Sequence, residues 1–251
     1  MNLFSYLTDP ANWGPDGIIT KLLLQHLYYT ISAVLIAALI AIPVGILVGH
    51  TGRGAFLVVG LSNSARAIPS LGLLILSVLA LGTGDGPIIG VLAILALPPI
   101  LTGTATGINT ADPEAVHAAR ALGMTGGQIV GKVEWPLALP LVISGLRSAT
   151  LQVVATATVA AFAAGGGLGQ LLISGQANQN YPQMFAGAVL VAGLAIVFDL
   201  SLGILGWLAG RNTRPHTRRR SRSAAPAPED QPDGGSHPSS KTGRSRQAVS
   251  T

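Results

Sequence analysis

The chain has 251 residues, of which 49% are hydrophobic and only 10% charged, and it holds 32 glycines. An ordinary soluble domain carries about a quarter charged residues and needs that polarity to cover its core, so the composition is that of an integral membrane protein. The absence of cysteine excludes a disulfide framework and a thiolate metal site. The five histidines (His26, His50, His117, His216, His237) show no close metal-ligand spacing, so no metal is expected. Nine basic and three acidic residues follow Gly210, which leaves the preceding part of the chain one charge negative. The high isoelectric point belongs to the tail.

In chain order, residues 1–10 lack a basic n-region and a small-residue cleavage site, so no cleavable signal peptide is expected. Residues 1–21 read as an extracytoplasmic segment. A spanning helix needs about 20 mostly apolar residues, and charge-free windows of that scale recur. Residues 22–52 contain a first span at about 27–48, and 67–84 form a shorter second. The third falls at about 87–108. Residues 112–147 then break the pattern with six charged positions. The stretch 148–198 carries no charge and is too long for one helix. Gly165-Gly166-Gly167-Leu168-Gly169 and the polar run 176–182 divide it, placing a fourth span at about 139–164 and a fifth at about 184–208.

Lysine and arginine in short loops set orientation. Arg53 and Arg66 fall between spans one and two, Arg120, Lys132 and Arg147 between three and four, and the Arg-rich tail after five. The other side holds Lys21 with Asp9, Asp16 and Asp85. The expectation is an all-α membrane domain over 22–210 with about five transmembrane helices, N-terminus outside and C-terminus inside. After Arg211 apolar residues almost vanish, and residues 211–251 read as a disordered basic cytoplasmic tail. The cluster Arg218–Arg220 with Arg222 reads as an inside-retaining tail or as a ligand for anionic lipid headgroups. Gly45/Gly49, Gly103/Gly107 and Gly206/Gly210 have the small-x-x-x-small spacing that lets spans approach closely.

The middle loop, 111–136, is the most informative stretch. Asp112 is a good N-cap, Pro113 suits the first turn, Glu114 favours the positive helix end, and Gly123 offers a left-handed stop. Together they predict a self-punctuated helix of about ten residues, roughly 15 Å long. Thr125 and Gln128 have capping-box spacing for a second helix, which Trp135-Pro136 is expected to close. Ala115, Ala118, Ala119 and Ala121 keep the first helix slim enough to enter a groove on a partner; a plain amphipathic linker is the alternative.

This loop resembles the coupling loop of binding-protein-dependent ABC importer permeases, whose pattern is Glu-Ala-Ala, Gly four residues on, and Leu-Pro further along. Here it reads His117-Ala118-Ala119, Gly123, Val133 and Trp135-Pro136. His117 stands where the family has Glu. The flanks Asp112-Pro113-Glu114, Gly123-Met124-Thr125 and Pro136-Leu137-Ala138-Leu139-Pro140 are similar to the branch for glycine betaine, carnitine, choline and proline. So are Arg66-Ala67-Ile68-Pro69-Ser70-Leu71, Ala155-Thr156-Ala157-Thr158 and the Gly165–Gly169 stretch. The resemblance implies a methionine-permease-like fold and a second permease subunit, identical or paralogous. It also implies cytoplasmic ATPase subunits that bind the ATP, leaving no cofactor in this chain, and an extracytoplasmic solute-binding protein. Glu114, His117, Ala118, Ala119, Gly123 and Met124 are the implied ATPase-coupling residues.

Gly126-x-x-x-x-Gly131-Lys132 imitates a phosphate-binding loop, but Val133 stands where a Mg²⁺-binding hydroxyl is needed. Asn63, Gln152, Thr156 and Thr158 read as pathway residues or as hydrogen-bonding groups between helices. Asp199, in a costly place for a charge, lines the pathway or pairs with a neighbour near the cytoplasmic helix end. There is no aromatic cage for a quaternary ammonium, which places selection in a separate binding protein. No nucleophile–base or carboxylate pair forms a recognisable catalytic site, and no nucleic-acid partner is expected. The rival readings are a permease for methionine or another small solute, an ATP-independent carrier, and a membrane scaffold acting through its basic tail.

Overall fold

A computed structural model of the chain describes residues 3–54, 56, 58, 60, 69–164 and 166–211, all helix, turn or loop with no strand among them. A short helix α1 (Ser5–Thr8) and a 3-10 turn (Pro10–Asn12) precede the long α2 (Ile18–Thr51). Then come α3 (Ser70–Leu81), α4 (Asp85–Asn109) and α5 (Pro113–Ala121). After these, α6 (Gly126–Ile129) leads through a π-helical segment, Val130–Glu134, into α7 (Trp135–Ala164). Finally α8 (Gly169–Ala177) precedes α9 (Tyr181–Arg211).

Four helical stretches are long and apolar enough to cross a membrane: Ile18–Thr51, Asp85–Asn109, Gly126–Ala163 and Tyr181–Arg211. Each of the expected spans 27–48, 87–108, 139–164 and 184–208 lies in one of α2, α4, α7 and α9. Of the expected span 67–84, residues 69–84 are described, and the helical part is α3, whose 12 residues reach about 18 Å at the helical rise. Asn63, Arg66 and the tail from 212 onward lie outside the described residues.

The core is the junction of α2, α4 and α7, built from small and branched side chains. Ala33 and Ala37, Leu92, Ala96 and Ile100, and Val153 and Ala157 are all buried there. Glycine makes the approach close. A Cβ at Gly45 would come 2.7 Å from Thr104 Cβ, one at Gly49 2.7 Å from the Ala105 oxygen, and one at Gly107 3.0 Å from the Ala138 oxygen. The looser pair, Gly206 and Gly210, faces Ile143 and Pro140 at 3.3 and 3.9 Å. All three small-x-x-x-small steps therefore sit at helix contacts, where packing rather than hydrophobicity holds spans together. The last helix, α9, is peripheral, with only Ala186 and Gly187 buried.

The glycine-rich break after α7 has a specific cause. Gln25 Oε1 accepts from Gly167 N–H at 3.0 Å and His26 Nδ1 accepts from Leu168 N–H at 3.2 Å. Gly167 is left-handed at φ +63, and a Cβ there would meet His26 Nδ1 at 2.9 Å. Gln25 also donates to the Tyr29 hydroxyl, which donates to Asp85 Oδ1 at 2.6 Å. One end of α2 thus holds both the α7–α8 turn and the start of α4.

One boundary differs from expectation. Trp135-Pro136 does not close a helix; the Trp135 N–H reaches back to the Val130 oxygen across the π-helical turn, and the chain runs on into α7. Pro136, which has no N–H to give, falls where the i to i−5 bonding of the π-helical turn passes into α7, so the change of spacing accommodates it within a continuing helix.

Candidate functional site

The loop helix α5 is built as its sequence dictates. The Asp112 side chain accepts from Glu114 N–H at 2.9 Å, Pro113 occupies the first turn, and Glu114 lies at the positive end. At the other end, Gly123 has φ +78. Its N–H donates to the Arg120 oxygen at 3.0 Å and the Met124 N–H to the Ala119 oxygen at 3.2 Å. These two bonds form a Schellman stop. The Thr125 N–H then donates to Gln128 Oε1 at 2.9 Å, completing the expected capping box at the start of α6.

Of the proposed coupling residues, Glu114, His117, Ala118 and Gly123 are exposed and Met124 is half-buried. Ala119 points inward and is only 4% exposed. It supports the helix from below. Sequence reasoning missed Leu122, which is 83% exposed at the tip of the helix; a bare leucine beside the stop glycine was the available signal. Gly126, Gly131 and Lys132, the imitation of a phosphate loop, lie in helical segments.

Behind α5, a cavity of about 280 Å³ is lined by His50, Ile108, Pro113, Val116, His117 and Glu134, among others. Glu134 is 5% exposed, and His50 Nδ1 lies 2.7 and 3.0 Å from its two carboxylate oxygens. A buried carboxylate costs several kcal/mol unless it is paired. The His50–Glu134 pair therefore ties the end of α2 to the segment that joins α5 to α7.

A second cavity, about 340 Å³, opens between α4 and α7. Its lining is unusually polar for two spans: Thr102 and Thr106 from α4, and Ser144, Ser148 and Gln152 from α7. Pro99 lacks the N–H that would bond the Leu95 oxygen, and Gln152 Nε2 donates to that oxygen instead, at 3.1 Å. Gln152 thus both lines the cavity and joins two helices.

The other expected pathway residues fare differently. Thr156 and Thr158 donate their hydroxyls to the Gln152 and Val154 oxygens of their own helix and not to a neighbouring one. Thr158 lines an apolar groove with Leu151, Leu172 and Val191. Asp199 is paired: Nε and Nη2 of Arg147 donate to its two carboxylate oxygens. Asp199 is not at a helix end, since it lies about 18 Å from the Arg211 end of α9. Arg147 was read from sequence only as a loop charge and sits well inside α7.

Apolar helices of spanning length, an exposed punctuated helix in the loop that leads into one of them, and a polar cavity between two spans are the features of a helical membrane transport subunit. The chain belongs to the family of binding-protein-dependent transport system inner membrane components, whose profile matches residues 41–207. It is 34% identical over 180 residues to the glycine betaine/carnitine/choline transport system permease protein OpuCB of Bacillus subtilis (strain 168), covering 72% of this chain and 83% of that one. It is 32% identical over 204 residues to the osmoprotectant import permease protein OsmW of Salmonella typhimurium, covering 79% and 93% respectively. Its fold matches an inward-facing structure of the MetNI methionine ABC transporter with a TM-score of 0.69 at 23% identity, over 80% of this chain and 99% of that one. The chain is a membrane-embedded transport component and not an enzyme.

Proposed function

We propose that the chain is the permease of an ATP-driven, binding-protein-dependent importer of compatible solutes such as glycine betaine, choline, carnitine or proline. The observation that carries the mechanism is the exposed, doubly capped α5 followed by helix that continues from Gly126 into α7. A stiff connection of this kind turns movement of a docked ATPase into movement of a span. The solute class is supported by what the relatives are named for. In this reading ATP is bound by partner ATPase subunits that receive Glu114, His117, Ala118, Leu122 and Gly123. A solute-binding protein delivers substrate from outside, and a second permease subunit completes the pathway. In this reading the chain crosses five times, α3 supplying the short span beside the four long helices, and the distribution of Lys and Arg supports an N-terminus outside and a basic cytoplasmic tail beyond Arg211.

The test is uptake of labelled glycine betaine by cells lacking their own uptake systems and expressing this chain with its ATPase and binding protein. ATP-dependent uptake, competed by choline, carnitine or proline, is the expected result. Competition by methionine alone would remove the solute class, and uptake without the ATPase would overturn the mechanism.

His117 gives a second test. A glutamate there accepts a hydrogen bond from an Arg or Lys of a partner, which neutral imidazole meets only through its one acceptor nitrogen. His117→Glu is expected to keep or raise solute-stimulated ATP hydrolysis in the assembled transporter. A severalfold fall would place His117 in contact with the His50–Glu134 pair rather than with the ATPase.

A further inference from the structure

The Arg147–Asp199 pair lies in an unusual place. Arg147 is about 18 Å from the Trp135 end of α7 and Asp199 about 18 Å from the Arg211 end of α9. Both therefore fall in the middle part of helices of 30 and 31 residues. Their side chains remain 44% and 30% exposed. Intramembrane charges turn toward a bundle interior or water, because lipid does not solvate them. Ser144, Ser148 and Gln152 of α7 are exposed as Arg147 is, and they line the polar cavity against α4, which Arg147 itself does not line. Arg147 follows Ser144 by one helical turn, and its bonds to Asp199 carry polar character from α7 across to α9.

The bonding leaves room for a ligand. Arg147 uses Nε and Nη2 toward Asp199. No hydrogen bond from Nη1 is formed among the described residues. Gly203, one turn beyond Asp199, lies against this edge: a Cβ there would come 3.7 Å from Nη1. A guanidinium presents more than one fork to carboxylates, so a second carboxylate can dock on the Nη1–Nη2 edge without breaking the first pair. The Asp199 carboxylate, whose side chain is 30% exposed, is then the group available to the cationic end of the same molecule.

We propose that Arg147 and Asp199 form a binding station for zwitterions on the permeation route, Arg147 taking the carboxylate and Asp199 the quaternary ammonium. The proposal rests on the reading of this chain as an importer of betaine-type solutes. The station and its ligand are each neutral overall, so loading and release leave no net charge within the membrane. A bare cation such as choline meets only Asp199.

The experiment measures uptake of labelled glycine betaine and labelled choline by the complete transporter carrying wild-type chain, Arg147→Gln, Arg147→Lys or Asp199→Asn. The reading is the ratio of the two uptakes in one sample, which does not depend on how much variant folds. Arg147→Gln is expected to lower the glycine betaine to choline ratio about tenfold, the scale of one lost charge-assisted hydrogen bond. Arg147→Lys should fall between, and Asp199→Asn should reduce both uptakes with the ratio changed by less than about twofold. A pair serving only as a strut between α7 and α9 slows both solutes alike, and an unchanged ratio in Arg147→Gln and Arg147→Lys overturns the proposal. Uptake of neither solute by the wild type overturns both the station and the solute class. An unchanged ratio with normal wild-type uptake overturns the station alone.

Discussion

Gly123→Val is expected to lower ATP-coupled uptake about tenfold or more while the chain still inserts and accumulates in the membrane. Gly123 is left-handed at φ +78 with open space on every side, since a Cβ there meets nothing within 4 Å. The cost of valine is therefore one of backbone conformation and not of packing. A left-handed L-residue costs about 1–2 kcal/mol, and β-branching adds to it. That strain acts on the turn that forms the Arg120 and Ala119 carbonyl bonds and sets Leu122 at the helix tip. One or two kcal/mol is a factor of about 5–30 in an equilibrium, enough to populate a loop in which α5 no longer presents its exposed face. Gly123→Asn, whose side chain tolerates the left-handed region, should keep most activity. Uptake and solute-stimulated ATP hydrolysis in the assembled transporter provide the measurement. Normal coupling in Gly123→Val would remove α5 as the docking element.

Gly103→Val should act on folding. A Cβ at Gly103 comes 2.8 Å from both Gly145 Cα and the Leu141 oxygen, and one at Gly145 comes 2.7 Å from the Pro99 oxygen. The opposing atoms are backbone, so no side chain can swing away. Overpacking of a tight core typically costs about 1–3 kcal/mol, and two further methyl groups at a backbone crossing belong at or above the top of that range. The expected result is a large loss of folded chain, read as membrane abundance and as a lowered Tm in detergent. Gly103→Ala should shift both in the same direction by less. Gly90 lies on the same helix with nothing within 4 Å of its Cβ, so Gly90→Ala serves as the control. A Gly103→Val protein as abundant and as heat-resistant as the control would show that α4 and α7 do not cross there.

Much of the architecture is local information and can be read along the chain. Uninterrupted apolar length marks α2, α4, α7 and α9 because a bilayer core about 30 Å thick demands it. Asp112, Pro113 and Gly123 mark both ends of α5 because capping is satisfied by atoms within a few residues. Even the glycine pairs at 45/49 and 103/107 carry their meaning in their spacing, since four residues place both on one helix face.

The polar partnerships are another matter. Arg147 meets Asp199 across 52 positions, His50 meets Glu134 across 84, and Gln25 and His26 meet Gly167 and Leu168 across 142. Nothing in the periodicity of one helix states which face of another it will touch, so Arg147 read as a loop charge and Glu134 as one charge among several. The triple glycine read as a break between spans, yet its left-handed turn is shaped by side chains of α2. By itself the sequence determined a multi-span membrane chain with a punctuated loop helix, because those features depend on short-range caps and on total apolar length. Only the tertiary structure decided that Gln152 caps the carbonyl freed by Pro99, that Ala119 faces inward, and that Arg147 of α7 pairs with Asp199 of α9. Those outcomes depend on how helices distant in the chain are rotated against one another, which packing of the assembled bundle alone sets.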